Sequence, residues 1–138
     1  MKTHSSNYYN SFIAIAEDCN KTTGTIPPDN GKKKTIANLQ FELIKDNPYQ
    51  YSSDEVLFQC YASKNAIAEG DMEAARTLFF SKGQPCMRCS PLTKSYGWGV
   101  HSNAEGKIAL YGVETKEYQA FLDNSELEIK KAVRSSKK

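Results

Sequence analysis

Apolar spacing changes character once along this chain, and that change constrains the fold more than any other feature. From Thr35 to Lys82 the apolar residues recur at helical intervals, whereas from Gln84 onward they fall in short runs broken by glycine and turn residues. Ile36, Leu39, Leu43 and Ile44 stand at i, i+3, i+7 and i+8, which predicts a helix over 35–46 with Thr35 as its cap and Asn47-Pro48 as its stop. Ser52 and Glu55 have capping-box spacing, and Val56, Leu57, Cys60 and Tyr61 follow at helical intervals, predicting a second helix over 53–66. A third, over 71–82, has acidic residues in its first turn (Asp71, Glu73), Lys82 near its end and Gly83 just beyond.

After this point strands are predicted at Cys86–Cys89, Gly97–His101 and Lys107–Tyr111. Ser102-Asn103-Ala104-Glu105-Gly106 supplies the turn of a hairpin spanning 97–112, in which the final glycine takes positive φ. Ile108 and Leu110 share one face of its second strand while Ala109 and Tyr111 share the other, so both faces have something to cover them. An earlier strand is expected in Ser11–Ala16. Cys19 to Lys34, with Gly24, Pro27-Pro28, Asn30-Gly31 and three consecutive lysines, reads as a long mobile connection. Thr115 caps a short helix through Asp123, and the Ser125/Glu128 spacing predicts a terminal helix. The expected fold is a single α+β domain, 1–138, with a small, mainly antiparallel sheet packed by three or more helices and loosely ordered ends at 1–10 and 134–138.

At 138 residues the chain has the size of one domain, and 39% hydrophobic with 25% charged residues excludes a disordered or fibrous chain. The longest apolar runs fall well short of the ~20 residues a membrane span needs, and Met1-Lys2-Thr3-His4-Ser5-Ser6 has no apolar stretch of the kind that directs export. A cytoplasmic setting is expected, with the four cysteines as free thiols and no membrane partner. Five of the 18 basic residues lie in the last ten positions, leaving 13 against 16 acidic ones before them, a net of −3. A mildly acidic body is poorly suited to long stretches of nucleic acid, whose binding depends on neutralising many phosphates.

The segment from Ser81 to His101 gathers the only Trp, one of two His, two of four Cys, and Lys82, Arg88 and Lys94. Cations interleaved with Tyr96 and Trp98 are the chemistry that holds an anionic or aromatic small molecule, and recognition by Lys82, Arg88, Lys94, Tyr96 and Trp98 is the preferred reading. Glycines on both sides of Trp98 leave room for a ligand or another backbone to come close. One competing class is an enzyme in which Cys86 is the nucleophile and His101 its base. The other is a homodimeric interaction module using the chain's eight tyrosines. Cys86-Met87-Arg88-Cys89 has the spacing of a redox pair, but in an extended segment residues three apart point to opposite faces. One such pair is also only half of a structural zinc set, so no metal or other cofactor is expected.

The stretches Asn47-Pro48-Tyr49, Ser53-Asp54-Glu55-Val56-Leu57-Phe58, Phe79-Phe80-Ser81-Lys82-Gly83-Gln84-Pro85-Cys86, Ser90-Pro91-Leu92 with Lys94, Tyr96-Gly97-Trp98-Gly99 with His101, and Ala109-Leu110-Tyr111-Gly112 form a pattern. In it the chain resembles a bacterial family of unknown function, about as long as itself, over nearly its whole length. The resemblance implies that Lys82, Cys86, Trp98 and His101 belong to the common pattern. It implies no activity, and Cys89 stands where the pattern carries a small residue such as alanine.

Overall fold

The computed structural model describes residues 5–28, 31, 34–84 and 86–133. Among them are five helices and one four-stranded sheet, an α+β arrangement. The strands are β1 (Ser11–Ala14), β2 (Trp98–Ser102), β3 (Ile108–Gly112) and β4 (Glu128–Lys131), in the order β3-β2-β1-β4. Pairing is antiparallel between β2 and β3 and between β1 and β2, and parallel between β1 and β4, so the sheet is mixed. The hairpin joins β2 to β3 as expected. Asn103 Oδ1 accepts from the N–H groups of Glu105 and Lys107, and Gly106 takes φ +80° to close the turn.

Because side chains alternate along a strand, the sheet has two distinct faces. Ile13, Trp98, Val100, Ile108 and Leu110 belong to the main core, packed with Ile44, Val56, Met87 and Leu92. That face is covered by α1 (Ile36–Lys45), α2 (Ser53–Lys64) and the five-residue α4 (Pro91–Ser95). Phe12 and Ala14 point the other way and pack with Tyr118 and Phe121 of α5 (Lys116–Leu122). Here Gly99 is required, since a Cβ at this position would lie 2.4 Å from a Phe12 ring carbon and 2.7 Å from Tyr118. The remaining helix, α3 (Met72–Phe79), buries none of its residues fully and packs on α2.

The caps read from the sequence are present. Thr35 and Ser52 both complete capping boxes, with Asn38 and Glu55 as their partners, and Thr115 caps α5. Three elements differ from expectation. Cys86–Cys89 is a 3₁₀ turn rather than a strand, closed by Cys89 N–H donating to the Cys86 carbonyl at 2.9 Å. Pro91, which lies outside every predicted element, opens α4, because proline at the first helical position gives up an N–H that would have no helical partner. Residues 128–131 form β4 rather than a terminal helix: Glu128 donates its N–H to the Asn10 carbonyl and Ala132 to the Ala14 carbonyl, so pairing with β1 overrides the local capping signal.

The described residues of the long connection after β1 form no helix or strand but are tied down. Gly24 N–H donates to Glu114, Thr25 N–H to the Tyr96 carbonyl, and the Asn38 side chain donates to the carbonyls of Pro27 and Pro28. The expected loose ends at 1–4 and 134–138 lie outside the described residues. Within 5–10, Ser6 is buried and its N–H and hydroxyl both donate to Asp54 at the start of α2.

Candidate functional site

A cavity of about 380 Å³ opens where α1 and α2 diverge over the turn that leads into α4. Two helical faces build its walls. On α1, Ile36 and Gln40 are one turn apart; on α2, Leu57, Cys60, Tyr61 and Lys64 follow at i, i+3, i+4 and i+7. Phe79 and Gln84 close one side, and Cys86, Cys89, Ser90 and Pro91 form the floor.

Gln40 is a deeply buried polar side chain on the wall of this mainly apolar space. It is 3% exposed and falls between Ile36 and Ile44 on the buried stripe of α1. Its Oε1 accepts from Ser90 Oγ at 2.6 Å, while the same Oγ accepts from Leu92 N–H at 3.1 Å as the cap of α4. Ser90's one hydroxyl hydrogen therefore goes to Gln40, which sets the orientation of the amide. The Gln40 Nε2 group has no partner among the described residues and borders the cavity. No buried side-chain nitrogen or oxygen among the described residues lacks a partner, so Nε2 is open to the cavity, where a ligand's acceptor atom can meet it.

Three thiols border the same space. Burial pushes the Cys60 thiol up to about 12, so it behaves as a small apolar residue. Cys86 Sγ lies 3.2 Å from the Tyr8 hydroxyl, and Cys89 is exposed. Burial, and then the hydrogen bond and charge of Cys86, push the Tyr8 phenol up to about 12, so it is protonated at neutral pH, and either group can donate in its contact with that sulfur. Among the described residues no three His, Cys, Asp or Glu side chains converge to hold a metal ion.

The structure does not bring Cys86 and His101 together. His101 pairs with Phe12 across the β1–β2 ladder and so points to the α5 face, where its ring stacks on Phe121 at 4.3 Å between centroids. Its Nδ1 is 2.8 Å from the Tyr49 hydroxyl, which also meets the Tyr111 hydroxyl at 2.8 Å. Cys86 lies on the opposite, α1/α2 side. Burial holds the His101 imidazole below its ordinary value and raises the Tyr49 phenol, so these two groups are uncharged at neutral pH. Tyr49 adopts φ +59°, an uncommon conformation for an aromatic residue, to bring its hydroxyl over the edge of β3.

The expected recognition residues are also dispersed. Trp98 is 7% exposed, donates Nε1–H to the Thr25 carbonyl and packs on Phe41, with Gly24 beneath its ring. The room left by the flanking glycines is filled by the chain itself: Gly97, at φ +78°, faces the Thr23 carbonyl, and Gly99 faces Phe12 and Tyr118. Tyr96 packs half-buried against the main core. Lys82 borders a smaller cavity with Leu78 and Phe79, Arg88 donates Nε–H to the Lys131 carbonyl at 2.7 Å, and Lys94 sits on α4. Neither this smaller cavity nor the one at Gln40 is lined by more than one of the three cations.

Of the segment singled out by sequence, Gln84, Cys86, Cys89, Ser90 and Pro91 reach the α1/α2 cavity. The residues that sequence reasoning passed over are Gln40, Leu57 and Tyr61. For Gln40 the signal was present, since it is a polar residue four positions from Ile36 and four from Ile44 on an apolar stripe.

No helix among the described residues is long and apolar enough to cross a membrane. No curated protein and no solved structure matches the chain. A family model does match, over residues 3–138, and on that extent the chain belongs to a family of unknown function (DUF6157).

Proposed function

We propose that this protein binds a small, largely apolar molecule in the cavity between α1, α2 and the Cys86–Pro91 segment. The observation that carries this reading is the Gln40 side chain, fixed through its Oε1 by Ser90 on the wall of a mainly apolar cavity and left with amide hydrogens that no described residue accepts. At about 380 Å³ the cavity is within the ~300–1,000 Å³ of ordinary ligand sites. Leu57, Tyr61, Phe79 and Pro91 favour a flat or aromatic body, and Gln40 favours a carbonyl, carboxylate or sulfonate oxygen on it. Lys64 at the rim adds a preference for negative charge at the outer end.

A thermal-shift screen of aromatic acids, with 1-anilinonaphthalene-8-sulfonate as a fluorescent reporter, tests the reading. A ligand at 100 times its Kd stabilises the native state by about 2.7 kcal/mol, or roughly 8–11 °C at ~3–4 °C per kcal/mol for this length. Leu57→Trp, which fills the cavity, should abolish both the shift and the reporter signal, and Gln40→Leu should weaken acids more than hydrocarbons. Reporter binding that survives Leu57→Trp unchanged would refute the assignment.

A further inference from the structure

The 3₁₀ turn alters what the two cysteines at its ends can do. In an extended segment Cys86 and Cys89 would face opposite ways. In a 3₁₀ turn, with about three residues per turn, side chains at i and i+3 eclipse, and both cysteines border the same cavity. The i to i+3 hydrogen bond of such a turn brings its end Cα atoms within about 7 Å, close to the ~4.4–6.8 Å span that a disulfide bridges. Both residues are free thiols.

The turn is also braced from both sides, which limits the entropy lost on cross-linking. Val133 N–H donates to the Arg88 carbonyl at 2.7 Å and Arg88 Nε–H to the Lys131 carbonyl, fastening it to the end of β4. Thr93 Oγ1–H donates to the Met87 carbonyl at 2.8 Å, and Met87 itself is buried in the main core. The two thiols differ in a useful way. Cys89 is exposed to an incoming oxidant, whereas Cys86 is half-buried under the protonated Tyr8 hydroxyl.

We propose that Cys86 and Cys89 form a reversible dithiol–disulfide site on the wall of the cavity, oxidised by a small disulfide of the glutathione class. Cys89, as thiolate, attacks one sulfur of oxidised glutathione; that S–S bond breaks, and the first glutathione leaves as thiolate and takes up the proton Cys89 lost. Cys86 then attacks Cys89 Sγ, forming the intramolecular S–S bond and expelling the second glutathione, which takes up the Cys86 proton. In total two protein thiols are oxidised and one glutathione disulfide is reduced to two thiols. Cys60, buried and held as a thiol, takes no part. The site does not depend on the ligand reading.

The test uses the full-length protein without ligand. Reduced protein is equilibrated with excess oxidised glutathione, quenched with acid, labelled with a maleimide and digested for mass spectrometry. Two of the four thiols should be lost, with Cys86 and Cys89 joined in one peptide lighter by two hydrogens, and reduced glutathione should restore both. Cys86→Ser should instead trap glutathione on Cys89. Four labelled thiols after equilibration, a bridge to Cys19 or Cys60, or a bridge only between chains would each overturn the proposal. Circular dichroism of Cys86→Ser and Cys89→Ser establishes that both variants remain folded, so unchanged labelling in folded variants counts against it as well.

Discussion

Ser90→Ala is the sharpest perturbation of the site, because one hydroxyl does two jobs there. Its oxygen caps α4 by accepting Leu92 N–H, and its hydrogen satisfies the Gln40 Oε1 acceptor, with both Ser90 and Gln40 at 3% exposure. Losing an N-cap serine costs about 0.5–2 kcal/mol. Leaving a buried acceptor unpaired costs about 1–3 kcal/mol more. The sum, about 2–4 kcal/mol after allowing for some relaxation of Gln40, corresponds to a fall in Tm of roughly 6–15 °C at this chain length. Gln40→Leu removes the acceptor while keeping the side chain's volume, so the second loss vanishes in the double variant. Urea unfolding of wild type, Ser90→Ala, Gln40→Leu and the pair should give a coupling energy of about 1 kcal/mol or more. A Ser90→Ala loss below about 1 kcal/mol, or strict additivity, would refute the claim that Ser90 orients the Gln40 amide.

Gly99→Ala places a Cβ 2.4 Å from the Phe12 ring and 2.7 Å from Tyr118, in a part of the core where both rings are fixed, and should cost about 1–3 kcal/mol by calorimetry. Gly97→Ala combines φ +78° with an approach of 2.6 Å to the Thr23 carbonyl, and should lower the urea midpoint at least as much. Burial lowers the His101 pKa, so the native state binds fewer protons there than the unfolded chain. The resulting stability is full above the unfolded value of about 6.5 and is lost as pH falls from there through the native value. Between pH 7 and 5 the wild type should therefore lose more stability than His101→Gln, and equal losses would contradict the burial argument.

Local signals were strong where they did not compete with distant partners. The capping residues Thr35, Ser52 and Thr115, the apolar stripe of α1 and the Asn103–Gly106 turn depend on residues a few positions away, and all appear in the structure as the sequence suggests. What depended on distant pairing was not legible. Residues 128–131 become a strand only because β1 offers an unpaired edge. The Cys86–Cys89 segment turns because Met87 is drawn into the core and Ser90-Pro91 starts a helix. The same limit applies to the site. Clustering of Trp98, His101 and Cys86 in sequence said nothing about which face of the sheet each would take, and alternation sends Trp98 and His101 to opposite ones. Gln40 was recognisable as an anomaly on its stripe, but its importance depends on Ser90, 50 residues away.

The claim that the α1/α2 cavity is the binding site is tested most directly by an amide NMR titration of the reduced protein with 1-anilinonaphthalene-8-sulfonate. Saturable shifts should concentrate on Gln40, Leu57, Cys60, Tyr61, Gln84 and Ser90, and the Gln40 side-chain Nε2 resonances should move with them. Saturable shifts centred instead on α5, His101 and Tyr111, or no saturable shift at the cavity residues, would contradict the account.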